Sequence, residues 1–179
     1  MNSGEELPNK NTAMENSYDC GPSMLASALQ SDIKTIKGEW PVKWKNFNSF
    51  LDNLFDFPGM HFLFLKNNGF KFRLIDTPQP GCCCLIHFGD TFYTKLMNEH
   101  WIVFLSEDKQ NGTVKLDWGN DYPITMASSV FLNMLNGFPR IMYLIGEEEK
   151  SLWNRFVILF WACLSTCMIP LLKIISLFR

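Results

Sequence analysis

The 179-residue sequence predicts an α+β domain followed by one transmembrane helix at the C-terminus. Helical patterns occupy the first half of the chain, whereas the alternating and wholly apolar runs typical of strands occupy the second half. That order favours helices packed on one antiparallel sheet. The third observation concerns the tail, because residues 156–172 carry no charged side chain.

Three helices are expected before residue 70. The first covers residues 22–30 and should begin directly after Cys20-Gly21, because Pro22 suits a first helical turn. The second, at 44–55, repeats apolar residues at helical spacing. The third, at 60–66, is stopped by the turn residues that follow it.

Five strands and one further helix are expected after residue 70. Asn111-Gly112 is a strong signal for a tight antiparallel hairpin. The wholly apolar run at 82–88 is a candidate central strand, and residues 89–99 are expected to form a loop. The expected strands are 70–75, 82–88, 100–105, 113–117 and 140–145, with a helix at 128–136.

The apolar tail predicts a membrane anchor. As a helix, residues 156–178 would be about 35 Å long, and a bilayer core is about 30 Å thick. Trp153 and Arg155 before the segment, and Lys173 and Arg179 after it, suit the two membrane interfaces. A buried helix or an oligomerisation helix is the alternative.

Composition limits the classes of function. A net charge of −2 without a basic stripe argues against nucleic-acid binding. The polar N-terminus lacks the apolar region of a secretory signal. Three of the six cysteines are consecutive and no CxxC pair occurs, so we expect reduced thiols, with neither a metal nor another cofactor.

Cys20 is the candidate nucleophile. A cysteine directly before a helix faces the positive end of the helix dipole, where N–H groups stabilise a thiolate and can donate to an oxyanion. A thiol attacks a carbonyl carbon well only as the thiolate. A lone cysteine before a helix is more often structural, so the assignment depends on a base and a group that orients the base.

His100 is the candidate base, and Asp117 is the acid that would orient it. His61 and His87 lie in apolar segments expected to be core, whereas His100 follows a polar loop and should lie at the rim of a cleft. The Asn111-Gly112 hairpin can bring the end of one strand beside the start of the other. Asp117 is therefore expected to lie beside His100.

Four segments carry a resemblance to a known family: the motif DCGPSMLA at 19–26, the helix end and Gly-Phe turn at 65–70, the strand HWIVF at 100–104, and the strand VKLD at 114–117. They resemble the C39 type of papain-like cysteine peptidases, which clip leader peptides in bacteriocin-exporting ABC transporters, and the stand-alone C39-like domains. The resemblance covers roughly residues 14–145. It implies a papain-like fold with Cys20, His100 and Asp117 in the catalytic roles given above.

The chain departs from that family in two ways. The family usually has a glutamine six residues before the nucleophile, where it supplies an oxyanion donor; here that residue is Met14, and Asn16 is the candidate replacement. Losing one such donor raises the barrier by roughly 2.7–4 kcal/mol. The ATP-binding motif GxxxxGK[ST] is also absent, so a role in leader cleavage coupled to export does not follow.

The sequence thus predicts a membrane-anchored cysteine hydrolase, most simply a peptidase, that acts on a peptide or protein through a thioester at Cys20. We expect an irregular lead-in at 1–13, a hydrolase domain at 14–146, a polar linker at 147–155 and the anchor at 156–178, with the catalytic domain in the cytoplasm. The alternatives are a papain-fold amidase or other hydrolase with a non-peptide substrate, an inactive membrane-tethered binding module, and a small membrane-active protein.

Overall fold

The computed structural model describes residues 20–41, 57–89, 91, 99–119 and 122–177, and of residues 171–177 only the backbone. Within these ranges the chain is α+β, as the sequence predicts, with five helices and one sheet of six strands. The sheet order is β1-β6-β2-β3-β4-β5, and every neighbouring pair of strands is antiparallel.

The helices are α1 (Cys20–Ala28), α2 (Ile33–Glu39), α3 (Pro58–Asn67), α4 (Ser128–Leu135) and α5 (Leu152–Leu177). The strands are β1 (Phe72–Leu74), β2 (Cys82–His87), β3 (Glu99–Asp108), β4 (Thr113–Asp117), β5 (Ile124–Ala127) and β6 (Met142–Ile145).

All five predicted strands and the helices predicted at 22–30, 60–66 and 128–136 are confirmed, with bounds that differ by a few residues. The predicted helix at 44–55 and most of the predicted loop at 89–99 lie outside the described residues.

Two elements were missed by the sequence analysis, α2 and β5. Asp32 is a residue type favoured at the N-cap of a helix, so the sequence does contain a signal for the start of α2. In the structure its carboxylate accepts hydrogen bonds from the N–H groups of Lys34 and Thr35. The strand β5 has only four residues and is half-buried at alternate positions, so its pattern is short and weak.

The central strand β2 divides the core into two parts. All six of its residues are buried, and consecutive side chains along a strand point to opposite faces of the sheet. We call the face covered by α1 and α3 the first face and the face covered by α4 the second face. The first-face core includes Cys83, Leu85, Trp101, Val103 and Tyr143, and the second-face core includes Cys82, Cys84, Ile86, Ile102, Phe104 and Met142.

The predicted hairpin joins β3 to β4. Gly112 in its turn has a φ of 61°, a conformation that residues with a side chain rarely adopt. The strands pair with Val103 opposite Asp117, and the register shifts between Phe104 and Ser106. This shift determines which residues of the two strands share a face.

The helix α5 packs along α3 through one of its sides. Ile158, Trp161 and Ile169 contact the first-face core, and Ser165 is fully buried. A methyl group added to Gly59 would lie 2.1 Å from the carbonyl oxygen of Trp161, so only glycine permits this approach. The other side of α5 exposes large apolar side chains, namely Leu152, Trp153, Phe156, Leu159, Phe160 and Leu164.

Among the described residues, α5 is also the one helix that is long and apolar enough to cross a membrane. The qualifying stretch is Leu152–Pro170, of which only 11% is buried, whereas the core helix of a soluble protein is mostly buried. The helix begins four residues before the predicted anchor.

The segment before α5 is structured rather than a fully solvated linker. The Glu149 carboxylate accepts hydrogen bonds from the N–H groups of Leu74 and Ser151, both at 2.8 Å, and from the Asn154 side chain at 3.1 Å. Glu149 is consequently buried, in contrast to its exposed neighbours Glu147 and Glu148. One carboxylate therefore ties the edge strand β1 to the start of α5.

The close contact between α3 and α5 yields a test with a matched control. We expect Gly59→Ala to lower the free energy of unfolding by about 1–3 kcal/mol, the usual cost of overpacking. Gly38→Ala makes the same change in α2, where no atom lies within 4 Å of the added carbon, and should be neutral or stabilising by about 0.5–1 kcal/mol. Urea unfolding in detergent, followed by circular dichroism, measures both. Equal stability of the two variants would contradict the α3–α5 contact.

Candidate active site

Cys20 is the first residue of α1, and its side chain belongs to the first-face core. Only 6% of the residue is exposed. Cys20, Met24 and Ser27 are spaced by four and three residues, so they share one side of the helix. That side meets the sheet, since the Ser27 hydroxyl donates a hydrogen bond to Asp117. Cys20 thus lies two turns, about 10 Å along the axis, from the Ser27–Asp117 contact.

Asp117 ends β4 and is buried, with 4% of the residue exposed. One carboxylate oxygen accepts the hydrogen bond from Ser27, and the other accepts a hydrogen bond from the N–H of Gly119 at 2.9 Å. The carboxylate therefore connects α1 to the sheet and holds the turn after β4.

His100 is the second residue of β3 and is half-buried. Its Nε2 lies 3.2 Å from the carbonyl oxygen of Trp118, and the two rings are stacked with centroids 5.0 Å apart. A carbonyl can only accept, so Nε2 carries the proton and Nδ1 is left as an acceptor. Burial lowers the pKa of His100, and the hydrogen bond to Trp118 acts in the opposite direction. The ring is consequently neutral near pH 7.

The structure does not form the hydrogen bond between His100 and Asp117 that the hairpin predicts. His100 lies opposite Ile86 in the β2–β3 register, which places it on the second face. Asp117 lies opposite Val103, which places it on the first face. Val103 is three residues after His100, and an odd separation along a strand reverses the face. Cys20 and Asp117 therefore share a face, and His100 lies on the other one.

The two remaining histidines are buried core residues, as the sequence predicts. His61 Nδ1 lies 2.9 Å from the hydroxyl of Tyr143, and its ring stacks on Trp101 at 4.0 Å. Burial places the pKa of His61 well below its usual value. His87 Nε2 lies 3.1 Å from the carbonyl oxygen of Pro139. His61 packs in the first-face core, so it lies on the same side of the sheet as Cys20, which its position within an apolar helix did not reveal.

The consecutive cysteines pack in β2, as predicted, and none of the six cysteines of the chain forms a disulfide. The sulfur atoms of Cys82 and Cys84 are 3.4 Å apart on the second face. Within the described ranges, no group of three or more His, Cys, Asp or Glu side chains could hold a metal ion. Asn16 and Met14 lie outside the described residues, so the oxyanion assignment stays a prediction.

Comparison of the chain with protein-family models gave no match, and a search of curated proteins also gave none. The function is therefore inferred from the residues and their geometry.

The buried histidines predict a loss of stability at acidic pH. Burial lowers the pKa of both His61 and His100 in the folded chain below the ordinary value of 6.5. The unfolded chain therefore binds these protons first, so the stability present above pH 6.5 is lost as the pH falls below it. We expect the thermal midpoint to fall between about pH 7 and about pH 5, and to fall less in His100→Gln. A profile that is flat over this interval, or identical in the variant, would contradict the assignment.

Proposed function

We propose that this protein is a cysteine hydrolase with Cys20 as its nucleophile, tethered to a membrane by α5. The observation that carries the proposal is the thiol at the first position of α1, on the side of the helix that meets the sheet. The first N–H groups of a helix have no acceptor within the helix and favour negative charge nearby. The resemblance of residues 19–26 to the C39 nucleophile motif supports the same assignment.

In the proposed reaction, the Cys20 thiolate attacks the carbonyl carbon of an amide. The C–N bond breaks as the base delivers the thiol proton to the leaving amine, and an acyl thioester remains. Water then attacks the thioester, which releases the carboxylic acid and restores the thiol. Peptide bonds are the proposed substrate on the resemblance alone.

The role of His100 as base requires a local change at the start of β3. Its ring must move to the first face to take the proton from Cys20. A one-residue shift in the alternation of side chains at the start of β3 would turn the His100 ring to the first face, because neighbouring residues of a strand face opposite sides of the sheet. The same strand already contains such an irregularity between Phe104 and Ser106, and His100 is only the second residue of the strand. On the first face it would join Asp117, which the proposal keeps as its orienting group.

A second candidate function is an inactive binding module of the same architecture. It is favoured by the second-face position of His100 and by the engagement of Asp117 with Ser27 and Gly119. Met14, in the position of the family glutamine, points the same way. In this case Cys20 would be a buried structural thiol.

A thiol-reactive probe distinguishes the two candidates. We expect iodoacetamide at neutral pH to label Cys20 faster than Cys83, whose pKa is raised by burial. Cys20→Ala should abolish both Cys20 labelling and hydrolysis without loss of the fold. His100→Ala should slow both by at least 10²-fold, the lower end for a positioned general base. Mass spectrometry locates and times the label.

The control is His61→Gln, which alters the histidine on the first face. A loss of labelling in His61→Gln but not in His100→Ala would show that His100 is not the base. Labelling of Cys20 no faster than that of Cys83, together with an absence of hydrolysis, would favour the binding module.

The membrane part of the proposal is a single C-terminal span with the domain in the cytoplasm. The 26 residues of α5 make a helix about 39 Å long, which exceeds the bilayer core of about 30 Å. Two basic residues precede the span, Lys150 and Arg155, and two follow it, Lys173 and Arg179, so the flanking charges favour neither orientation. The proposed orientation depends instead on the six cysteines without disulfides, which suit a reducing compartment. A full span requires α5 to leave α3 over part of its length. The packed arrangement supports a second possibility, in which α5 lies flat between the domain and the bilayer.

Alkaline carbonate extraction and protease protection of a C-terminal tag test this arrangement. We expect the full-length chain to stay in the membrane pellet, and truncation after Gly146 to release the domain. The tag should be protected from protease added on the side of the domain. A tag digested together with the domain would indicate a helix that lies flat on the surface, and release of the full-length chain by carbonate would exclude a span.

A further inference from the structure

A cavity of about 580 Å³ lies at the junction of α3, the chain leading into β1, and the first turns of α5. Its size falls in the range of ordinary small-molecule sites. The interior is apolar and includes the stacked rings of Phe62 and Phe72, whose centroids are 5.3 Å apart. Ile158, Leu159 and Ala162 of α5 form the opposite wall.

Basic side chains line the same cavity. Lys66 lies in the last turn of α3, Lys71 follows the turn after that helix, and Arg155 lies in the first turn of α5. In the part of the chain that the structure describes, no carboxylate lies within 4.0 Å of Lys66 or Arg155, whereas Lys71 has Glu148 at 3.9 Å. The Arg155 Nε–H donates to the carbonyl oxygen of Glu149 at 2.8 Å, which anchors the guanidinium beside the cavity.

The two acidic residues of the lining, Glu148 and Glu149, offset only part of the charge of its three basic residues. Glu148 is paired with Lys71, and both side chains are more than half exposed. The Glu149 carboxylate already accepts three hydrogen bonds, from Leu74, Ser151 and Asn154. Among the described residues, Lys66 and Arg155 therefore have no carboxylate within 4.0 Å and lie next to an apolar cavity.

We propose that this cavity binds one glycerophospholipid with an anionic head group, whose acyl chain enters the apolar part and whose phosphate contacts Lys66 and Arg155. The occupant is indicated by this charge complementarity and by continuity with the exposed apolar side of α5, which includes Leu159 and the neighbouring Phe156 and Phe160. Basic residues beside a membrane helix attract anionic lipids. The proposal rests on the membrane attachment of α5 and not on the chemistry of Cys20.

The test uses the full-length Cys20→Ala chain in mild detergent, so that failure of the hydrolase assignment cannot affect the result. Native mass spectrometry measures binding of palmitoyl-oleoyl phosphatidylglycerol and of the phosphatidylcholine with the same acyl chains. We expect one phosphatidylglycerol per chain, bound at least tenfold more tightly than phosphatidylcholine. Comparable binding of the two lipids would overturn the proposal.

Two neighbouring residues of α5 provide a matched pair of variants. Leu159 and Phe160 are 55% and 53% exposed, and only Leu159 lines the cavity. Leu159→Trp should therefore weaken phosphatidylglycerol binding at least tenfold, whereas Phe160→Trp should leave it unchanged. Because both positions are more than half exposed, neither change should unfold the chain, and circular dichroism checks this. Equal effects of the two variants would show that the lipid binds elsewhere on α5.

The charge contribution is tested in the same way. Lys66→Gln should weaken phosphatidylglycerol binding about fivefold, as expected for one basic residue near an anionic surface. It should weaken phosphatidylcholine binding less, because the choline cation of that head group already offsets the charge of its phosphate. Lys109→Gln, in the β3–β4 turn, removes a charge far along the chain from the cavity and should have no effect. Full displacement of phosphatidylglycerol by equimolar oleate would overturn the phosphate contact.

Discussion

The structure depends on the alternation of side chains along β2, which is buried on both of its faces. Five of its six residues contribute to one of the two cores, so its register decides which helices meet which side chains. Each fully buried aliphatic side chain stabilises the fold by about 1.5–3 kcal/mol. A slip of one residue would exchange the two sets and move the Cys83 thiol away from Tyr143. Such a slip is therefore strongly disfavoured in the middle of the sheet.

The same alternation governs the candidate site. The Ser27–Asp117 hydrogen bond sets the rotation of α1, and that rotation turns Cys20 toward the sheet. Asp117 shares this face because it lies opposite Val103. His100 is three residues from Val103 and so faces the other way. The start of β3 is consequently the part of the molecule on which the proposed activity would depend. Glu99 and His100 pair with β2 alone, whereas Val103 and Phe104 also pair with β4.

Packing, and not only chain connectivity, joins the domain to the apolar helix. Gly59 allows the backbone of α5 to approach α3, and Glu149 holds the start of α5 against β1. These two contacts create the walls of the cavity beside Lys66 and Arg155. The proposed lipid site therefore depends on the same contacts that hold α5 against the domain.

The sequence by itself determined the fold class, the central strand, the Asn111-Gly112 hairpin, the presence of a helix after Cys20-Gly21 and the apolar C-terminal helix. These features arise from local periodicity and turn chemistry, which act over a few residues. Only the tertiary structure decided which face each site residue occupies, because a face depends on strand register and on the irregularity between Phe104 and Ser106. The burial of Glu149 and the role of Gly59 were likewise decided by contacts between residues far apart in the chain, which no local pattern of side chains records.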